Sequence, residues 1–314
     1  MTMTANTRIE IDRILCPIDF SDTSRHALDH AATLARWYGA RLMLAYVHPT
    51  LVIAPMAPGL PLMPGVILTV DDRKAVEESL ESFGREEIGD RLPVSRHVLE
   101  GDAAREITAF ARDCGPQLIV IGTHGRSGVE RFVMGSVAER VLRTASCPVL
   151  TVPPRVPDRV PLPTALFRRI VCAIDFSPCA MQGLTYALSI AQESGGALTV
   201  LHVAELLPED VPGLSESGTN QPHTFGDYLA RARAERAAQL DAAVPSGVRE
   251  YCEVDTMMTS GKPYREILRV ASETTSDLIV LGVHGHGALD RLFFGSTTEH
   301  VVRAATCPVL TIRG

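Results

Sequence analysis

Lysine is almost missing from this 314-residue chain: Lys74 and Lys262 are the only two, and arginine carries the remaining positive charge. The formal net charge is −7, which argues against a broad basic face for nucleic acid or for an anionic membrane surface. Any phosphate site must then be local, built from backbone amides and a few Arg or His side chains. The seven cysteines (Cys16, Cys114, Cys147, Cys172, Cys179, Cys252 and Cys307) are odd in number and include no C-x-x-C spacing. They read as reduced thiols, mostly buried, rather than as a disulfide frame. The G-x4-G-K-[ST] pattern of P-loop ATPases is absent, as are a kinase catalytic loop, a nucleophile elbow and a zinc-ligand cluster. No catalytic residue and no metal ligand is therefore assigned. Residues 1–10 lack an apolar signal core, which points to a cytoplasmic protein. The uncharged stretch 49–70 is long enough to span a bilayer, but Pro49, Pro55, Pro58, Pro61 and Pro64 would break a helix repeatedly. An apolar loop is expected there instead.

What is present is a repeat. Residues 14–21 read ILCPIDFS and residues 170–177 read IVCAIDFS. GDAAREI at 101–107 returns as GKPYREI at 261–267, and LIVIGTHG at 118–125 returns as LIVLGVHG at 278–285. CPVLT recurs unchanged at 147–151 and 307–311. The blocks keep their order and only loop lengths differ, so the chain is a tandem duplication. Between the copies, residues 153–168 hold five prolines and read as an extended, semi-rigid spacer. The division is thus a first domain over 1–153, a linker over 154–168 and a second domain over 169–314.

Within each copy, short apolar runs alternate with helical periodicity. In copy one, strands are expected over 14–18, 42–47, 94–99, 118–121 and 149–152. Ser21 caps a first helix that ends near Gly39, and Thr69 with Asp72 resembles a capping box opening a helix to about Gly89. Copy two repeats this with strands near 170–174, 198–203, 248–254, 278–281 and 309–312. Strands alternating with helices imply an α/β fold: two tandem, doubly wound, parallel five-stranded sheets of Rossmann-like type.

The chemistry-bearing pattern follows strand four. Copy one has Gly122-x2-Gly125-x9-Gly135-Ser136, and copy two has Gly282-x2-Gly285-x9-Gly295-Ser296. Ligands of open α/β sheets sit beyond the carboxyl ends of the strands. There the first two glycines would let backbone amides approach a ligand, and the Gly-Ser pair opens a helix whose free amides and dipole favour an anion. Val137 and Thr297 continue that first turn. His124, Arg126 and Arg131, and in copy two His284, His286 and Arg291, complete a polyphosphate cradle. The plainer reading is that these glycines serve turns and that Ser136 and Ser296 are ordinary caps. Asp19 and Asp175 end strand one on the same edge, where a carboxylate either accepts from ribose hydroxyls or an adenine amine, or merely caps the next helix.

The IDFS element, the G-x2-G-x9-G-S signature and the final PVLT strand together resemble the universal stress protein family in its tandem form, an adenine nucleotide alpha hydrolase-like fold. The resemblance implies ATP, with Mg²⁺, as ligand. It places Asp19 and Asp175 near ribose and adenine and gives Val47 and Val203 backbone contacts to adenine. Gly122, Gly125, Gly135 and Ser136, with Gly282, Gly285, Gly295 and Ser296, are assigned to ribose and phosphates. It further implies that the fifth strands pair, here inside one chain, with a homodimer of tandem chains as a further assembly. Departures exist: Ala173 stands where copy one has Pro17, and Gln117 where copy two has Asp277. The loops after strand two also differ, so the two sites are expected to differ in affinity. The leading function is a regulatory, ATP-binding stress-response sensor with a signalling partner. The alternatives are a slow ATPase or nucleotide-using transferase, and a scaffold with vestigial sites.

Overall fold

The computed structural model describes residues 8–50, 70–125, 134–155, 167–204, 225–283 and 295–313. Arg126, Arg131, His284, Gly285, His286, Arg291, Thr69, the apolar stretch 51–69 and linker residues 156–166 lie outside them.

Copy one runs β1 (Arg13–Ile18), α1 (Asp22–Tyr38), β2 (Arg41–His48), α2 (Val70–Ser82), α3 (Arg85–Ile88), β3 (Val94–Glu100), α4 (Ala103–Cys114), β4 (Leu118–Gly122), α5 (Ser136–Thr144) and β5 (Val149–Val152). Copy two runs β6 (Arg169–Ala173), α6 (Pro178–Ser194), β7 (Ala197–Ala204), α7 (Phe225–Ala243), β8 (Glu253–Ser260), α8 (Pro263–Glu273), β9 (Leu278–Gly282), α9 (Ser296–Ala304) and β10 (Val309–Ile312).

Two expectations need correction. The helix expected to run to Gly89 breaks at Gly84, which adopts φ 70 and begins the separate α3. The left-handed conformation at Gly84 favours glycine, and a side chain there would also meet Leu28 of α1. Val248 is not in a strand: residues Ser246–Glu250 form a 3₁₀ turn, and β8 starts at Glu253. The caps expected on the first helix of each copy hold. The Ser21 side chain accepts from Ser24 N and Gly39 ends α1 at φ 67, while Ser177 repeats the cap on α6.

The strands form one ten-stranded sheet in the order β3-β2-β1-β4-β5-β10-β9-β6-β7-β8. All neighbours within each copy are parallel, whereas β5 and β10 meet antiparallel, pairing Val309 with Thr151, Leu310 with Leu150 and Thr311 with Val149. The last strand of each copy thus covers the apolar edge of the other, as expected for edge strands that need a partner. Strand alternation sorts the core into two layers. Ile14, Cys16, Leu42 and Leu44 belong to the layer that includes the inner faces of α1 and α6, while Leu15, Met43, Ala45 and Ile119 belong to the layer that includes Ile107, Val141, Val270 and Val301 from α4, α5, α8 and α9.

Residues flanking the linker anchor on α1. The Pro153 carbonyl meets His26 Nδ1 at 3.0 Å, Arg155 pairs with Asp29, and Phe167 stacks on His30 at 5.9 Å. Gln117 and Asp277 are structural equivalents despite the change of residue. Gln117 Oε1 accepts from Arg13 N at 2.9 Å, and the Asp277 carboxylate accepts from Arg168 N and Arg169 N, each at 2.9 Å. Both pin the start of a first strand, away from the strand ends where the signature lies. Among the described residues, no helix is long and apolar enough to cross a membrane.

Candidate functional site

The turn after β1 is under strain. Phe20 has φ 65 and Phe176, its counterpart, φ 62, a left-handed conformation uncommon outside glycine. Such a conformation costs roughly 1–3 kcal/mol and persists where the surroundings over-determine it. Here the rings provide that constraint. Phe20 packs on Tyr46 at 5.0 Å and edge-on to Phe83 at 5.4 Å, and Phe176 packs on His202 at 4.9 Å.

The strained turn aims a carboxylate. Asp19 Oδ1 accepts from Ser21 N at 3.1 Å and from Ser21 Oγ at 2.6 Å, while Ser21 Oγ accepts from Ser24 N at 3.1 Å. Asp19 thus orients the capping serine through one oxygen, and the other, Oδ2, faces Gly125. A Cβ on Gly125 would lie 2.9 Å from that oxygen, so the loop after β4 passes directly over the carboxylate. In copy two, Asp175 Oδ1 accepts from Ser177 N at 3.0 Å.

The glycines act differently from the sequence-based reading in two respects. Gly122 and Gly282 are required by helix packing. A Cβ at Gly122 would lie 2.8 Å from Thr23 Cγ2 in the first turn of α1, and one at Gly282 would lie 2.8 Å from Ala180 N in the first turn of α6. The Gly135 and Gly295 amides are not free for a ligand either: they donate to Thr123 O at 2.7 Å and to Val283 O at 3.1 Å, closing the loop on itself.

What remains open is the next turn. Gly135 and Gly295 are the N-caps of α5 and α9, and having no side chain they leave both helices uncapped. Helix geometry gives the amides of Ser136, Val137 and Ala138 no intrahelical acceptor. Ser136 is thus the first helical residue rather than the cap. Three N–H groups without intrahelical acceptors, with the helix dipole behind them, are chemically suited to an anion.

These parts surround one cavity of about 340 Å³. Every described copy-one residue of the expected site lines it: Asp19, Val47, Gly122, His124, Gly125, Gly135, Ser136 and Val137. His124 Nδ1 lies 2.9 Å from Thr123 Oγ1, a contact that fixes the ring at the cavity wall. Sequence reasoning missed the apolar lining, supplied by Ala45, Ile107, Ile121 and Ala138. Ala45 had a readable signal, since it lies two residues before Val47 on the same strand face. The volume falls within the range of roughly 300–1,000 Å³ usual for small-molecule sites, with a largely apolar lining and a few convergent polar groups. It suits a flat ring against the aliphatic wall and an anionic tail against the α5 amides. In copy two, Asp175, Val203, Gly282, Gly295, Ser296 and Thr297 occupy the corresponding strand ends and helix start.

The model of the Universal stress protein family matches twice, over residues 10–153 and 166–313. A universal stress protein of Methanocaldococcus jannaschii is 38% identical over 145 residues, covering 45% of this chain and 81% of that protein. One from Mycolicibacterium smegmatis is 26% identical over 304 residues and covers 96% of each chain. Among solved structures, a universal stress protein from Archaeoglobus fulgidus superposes with a TM-score of 0.62 at 23% identity, covering 98% of both chains, a likeness of fold.

Proposed function

The chain belongs to the universal stress protein family, and from that membership and the site's geometry we propose that it is a regulatory receptor for an adenine nucleotide, ATP carried with Mg²⁺, in a stress response. The observation that carries this reading is the cavity at the end of β1, β2 and β4, where an aliphatic wall faces an uncapped helix N-terminus. Adenine fits the wall formed by Ala45, Val47, Ile107 and Ala138. The Asp19 carboxylate, held by Ser21, accepts from ribose hydroxyls. The Ser136, Val137 and Ala138 amides, the Ser136 hydroxyl and His124 receive the phosphates.

A regulatory role is favoured by what the same helix does further along. Glu139 and Arg143, within two turns of the anion-binding end of α5, form an ion network with Glu299 and Arg303 of α9. Its cross-copy contacts, Arg143 to Glu299 and Arg303 to Glu139, are each 3.6 Å. Occupancy of the α5 end therefore acts on an element that also joins the two copies. The signalling partner would read that change at the surface.

Nucleotide-free protein titrated with ATP and Mg²⁺ in a calorimeter, with adenosine and tripolyphosphate as competitors, tests the reading. Saturable binding displaced by both competitors is expected, without phosphate release above that of a Ser136→Ala, Val137→Pro variant. Absence of binding, or displacement by neither competitor, would remove the nucleotide assignment; turnover abolished by the variant would replace the receptor with an ATPase.

A further inference from the structure

Thr123, the residue after β4, is only 2% exposed, and all three of its polar groups are engaged. Its amide donates to Val152 O of β5 at 2.9 Å, and its carbonyl accepts from Gly135 N, the cap of α5, at 2.7 Å. Its hydroxyl lies 2.9 Å from His124 Nδ1 and 3.4 Å from Val152 O. A hydroxyl has one proton to donate. Val152 O already receives the amide, and 3.4 Å is long for an O–H donor, so that proton goes to Nδ1. The ring's own proton then sits on Nε2, which makes His124 an N–H donor through that atom. Val283 holds the same place in copy two. It keeps both main-chain bonds, Val283 N to Ile312 O at 2.8 Å and Gly295 N to Val283 O at 3.1 Å, and is likewise 2% exposed, but it has no hydroxyl. The loop therefore closes without a hydroxyl at this position, and the one on Thr123 serves another task.

We propose that this task is to position His124: the Thr123 hydroxyl fixes the imidazole and its tautomer so that Nε2–H is the group that meets the nucleotide's phosphates. The inference rests on the nucleotide-receptor reading and assigns a positioning residue to it. Thr123 and His124 both line the cavity of copy one. Because Thr123 is also bonded to β5 and to the cap of α5, the ring it holds is set relative to the α5 amides before a ligand arrives. That preorganisation spares the ordering cost that a loose side chain takes from affinity. An Nε2–H donor suits a phosphate oxygen, whereas the other tautomer would oppose it with a lone pair. In copy two, Val283 precedes His284, so that histidine has no neighbouring hydroxyl in the chain to orient it.

Calorimetry of nucleotide-free protein tests this through the ratio of its affinities for ATP with Mg²⁺ and for adenosine, which has no phosphates. Adenosine binding reports in each variant that the site is folded. Thr123→Val, which copies the residue of the second repeat, is expected to lower the ratio about fivefold, the usual worth of one hydrogen bond. Thr123→Ser keeps the hydroxyl and is expected to hold the parent ratio. In a His124→Ala background, Thr123→Val should lower the ratio no further, because the hydroxyl acts through the imidazole. An unchanged ratio in Thr123→Val, equal loss of both ligands included, would overturn the inference and leave the receptor reading standing. So would a Thr123→Ser ratio as low as that of Thr123→Val, or a further fall in the double variant. No binding of ATP by the parent would overturn the receptor reading itself, and this inference with it.

Discussion

Leu150 and Leu310 lie opposite each other at the centre of the antiparallel seam between β5 and β10, 1% and 4% exposed. Around them the contacts repeat with the copies exchanged. Thr151 Oγ1 donates to Val309 O and Thr311 Oγ1 donates to Val149 O, each at 3.1 Å. The same CPVLT words therefore make an isologous junction inside one chain.

Thr151→Val and Thr311→Val each remove one buried hydroxyl and leave a carbonyl short of a partner. Each is expected to lower the unfolding free energy by about 1 kcal/mol, the usual net value of such a bond. Because the two bonds flank one leucine pair, the double variant should depart from additivity. Urea unfolding of the single and double variants measures this, and a neutral Thr151→Val would show that the hydroxyls do not hold the seam.

Acid should weaken the fold through the histidines of α1. Burial, with His26 and Arg155 close by, pushes the His30 imidazole down to about 3, and burial lowers His26 as well. A base whose pKa is depressed on folding binds its proton more readily in the unfolded chain. The stabilisation is complete above the unfolded value near 6.5 and is lost as pH falls from there towards 3. While the unfolded chain holds one extra proton, the loss is about 1.4 kcal/mol per pH unit. Melting curves between pH 5 and 7 should show a shallower slope for His30→Leu than for the parent. An unchanged slope would place the acid sensitivity elsewhere.

Much of this was legible in the chain itself. Repetition fixed the duplication, and the short apolar runs, Ser21, Ser177 and Gly39 marked real strands and caps. The Gly84 break was hidden because the left-handed turn there lies against Leu28, 56 positions away in sequence and part of another helix. Val248 was misread because a short apolar run does not distinguish a strand from a 3₁₀ turn. The glycines of the signature carry a packing demand that the sequence did not show. Gly122 and Gly282 are squeezed by the first turn of α1 and α6, and only the structure separates that packing demand from ligand approach.

Asp19 and Gly125 should behave as a coupled pair. Gly125→Ala would place a methyl group 2.9 Å from Asp19 Oδ2 and push the carboxylate from its position. Asp19→Ala and Gly125→Ala are each expected to weaken ATP binding roughly tenfold, about 1.4 kcal/mol. The double variant should be no weaker than the worse single one, because both act through one carboxylate. Fully additive losses in a titration would mean that the loop and the carboxylate serve the ligand separately.

The central claim is that amides at the start of α5 hold a nucleotide's phosphates, and ligand-dependent melting of nucleotide-free protein tests it most directly. With free ATP and Mg²⁺ at a hundred times the dissociation constant, the parent should gain about 2.7 kcal/mol of stability and melt higher. Gly135→Val, whose Cβ would lie 3.3 Å from Thr123 O at the head of those amides, should melt at the same temperature with and without nucleotide. An unshifted parent, or a shift preserved in Gly135→Val, would contradict the account.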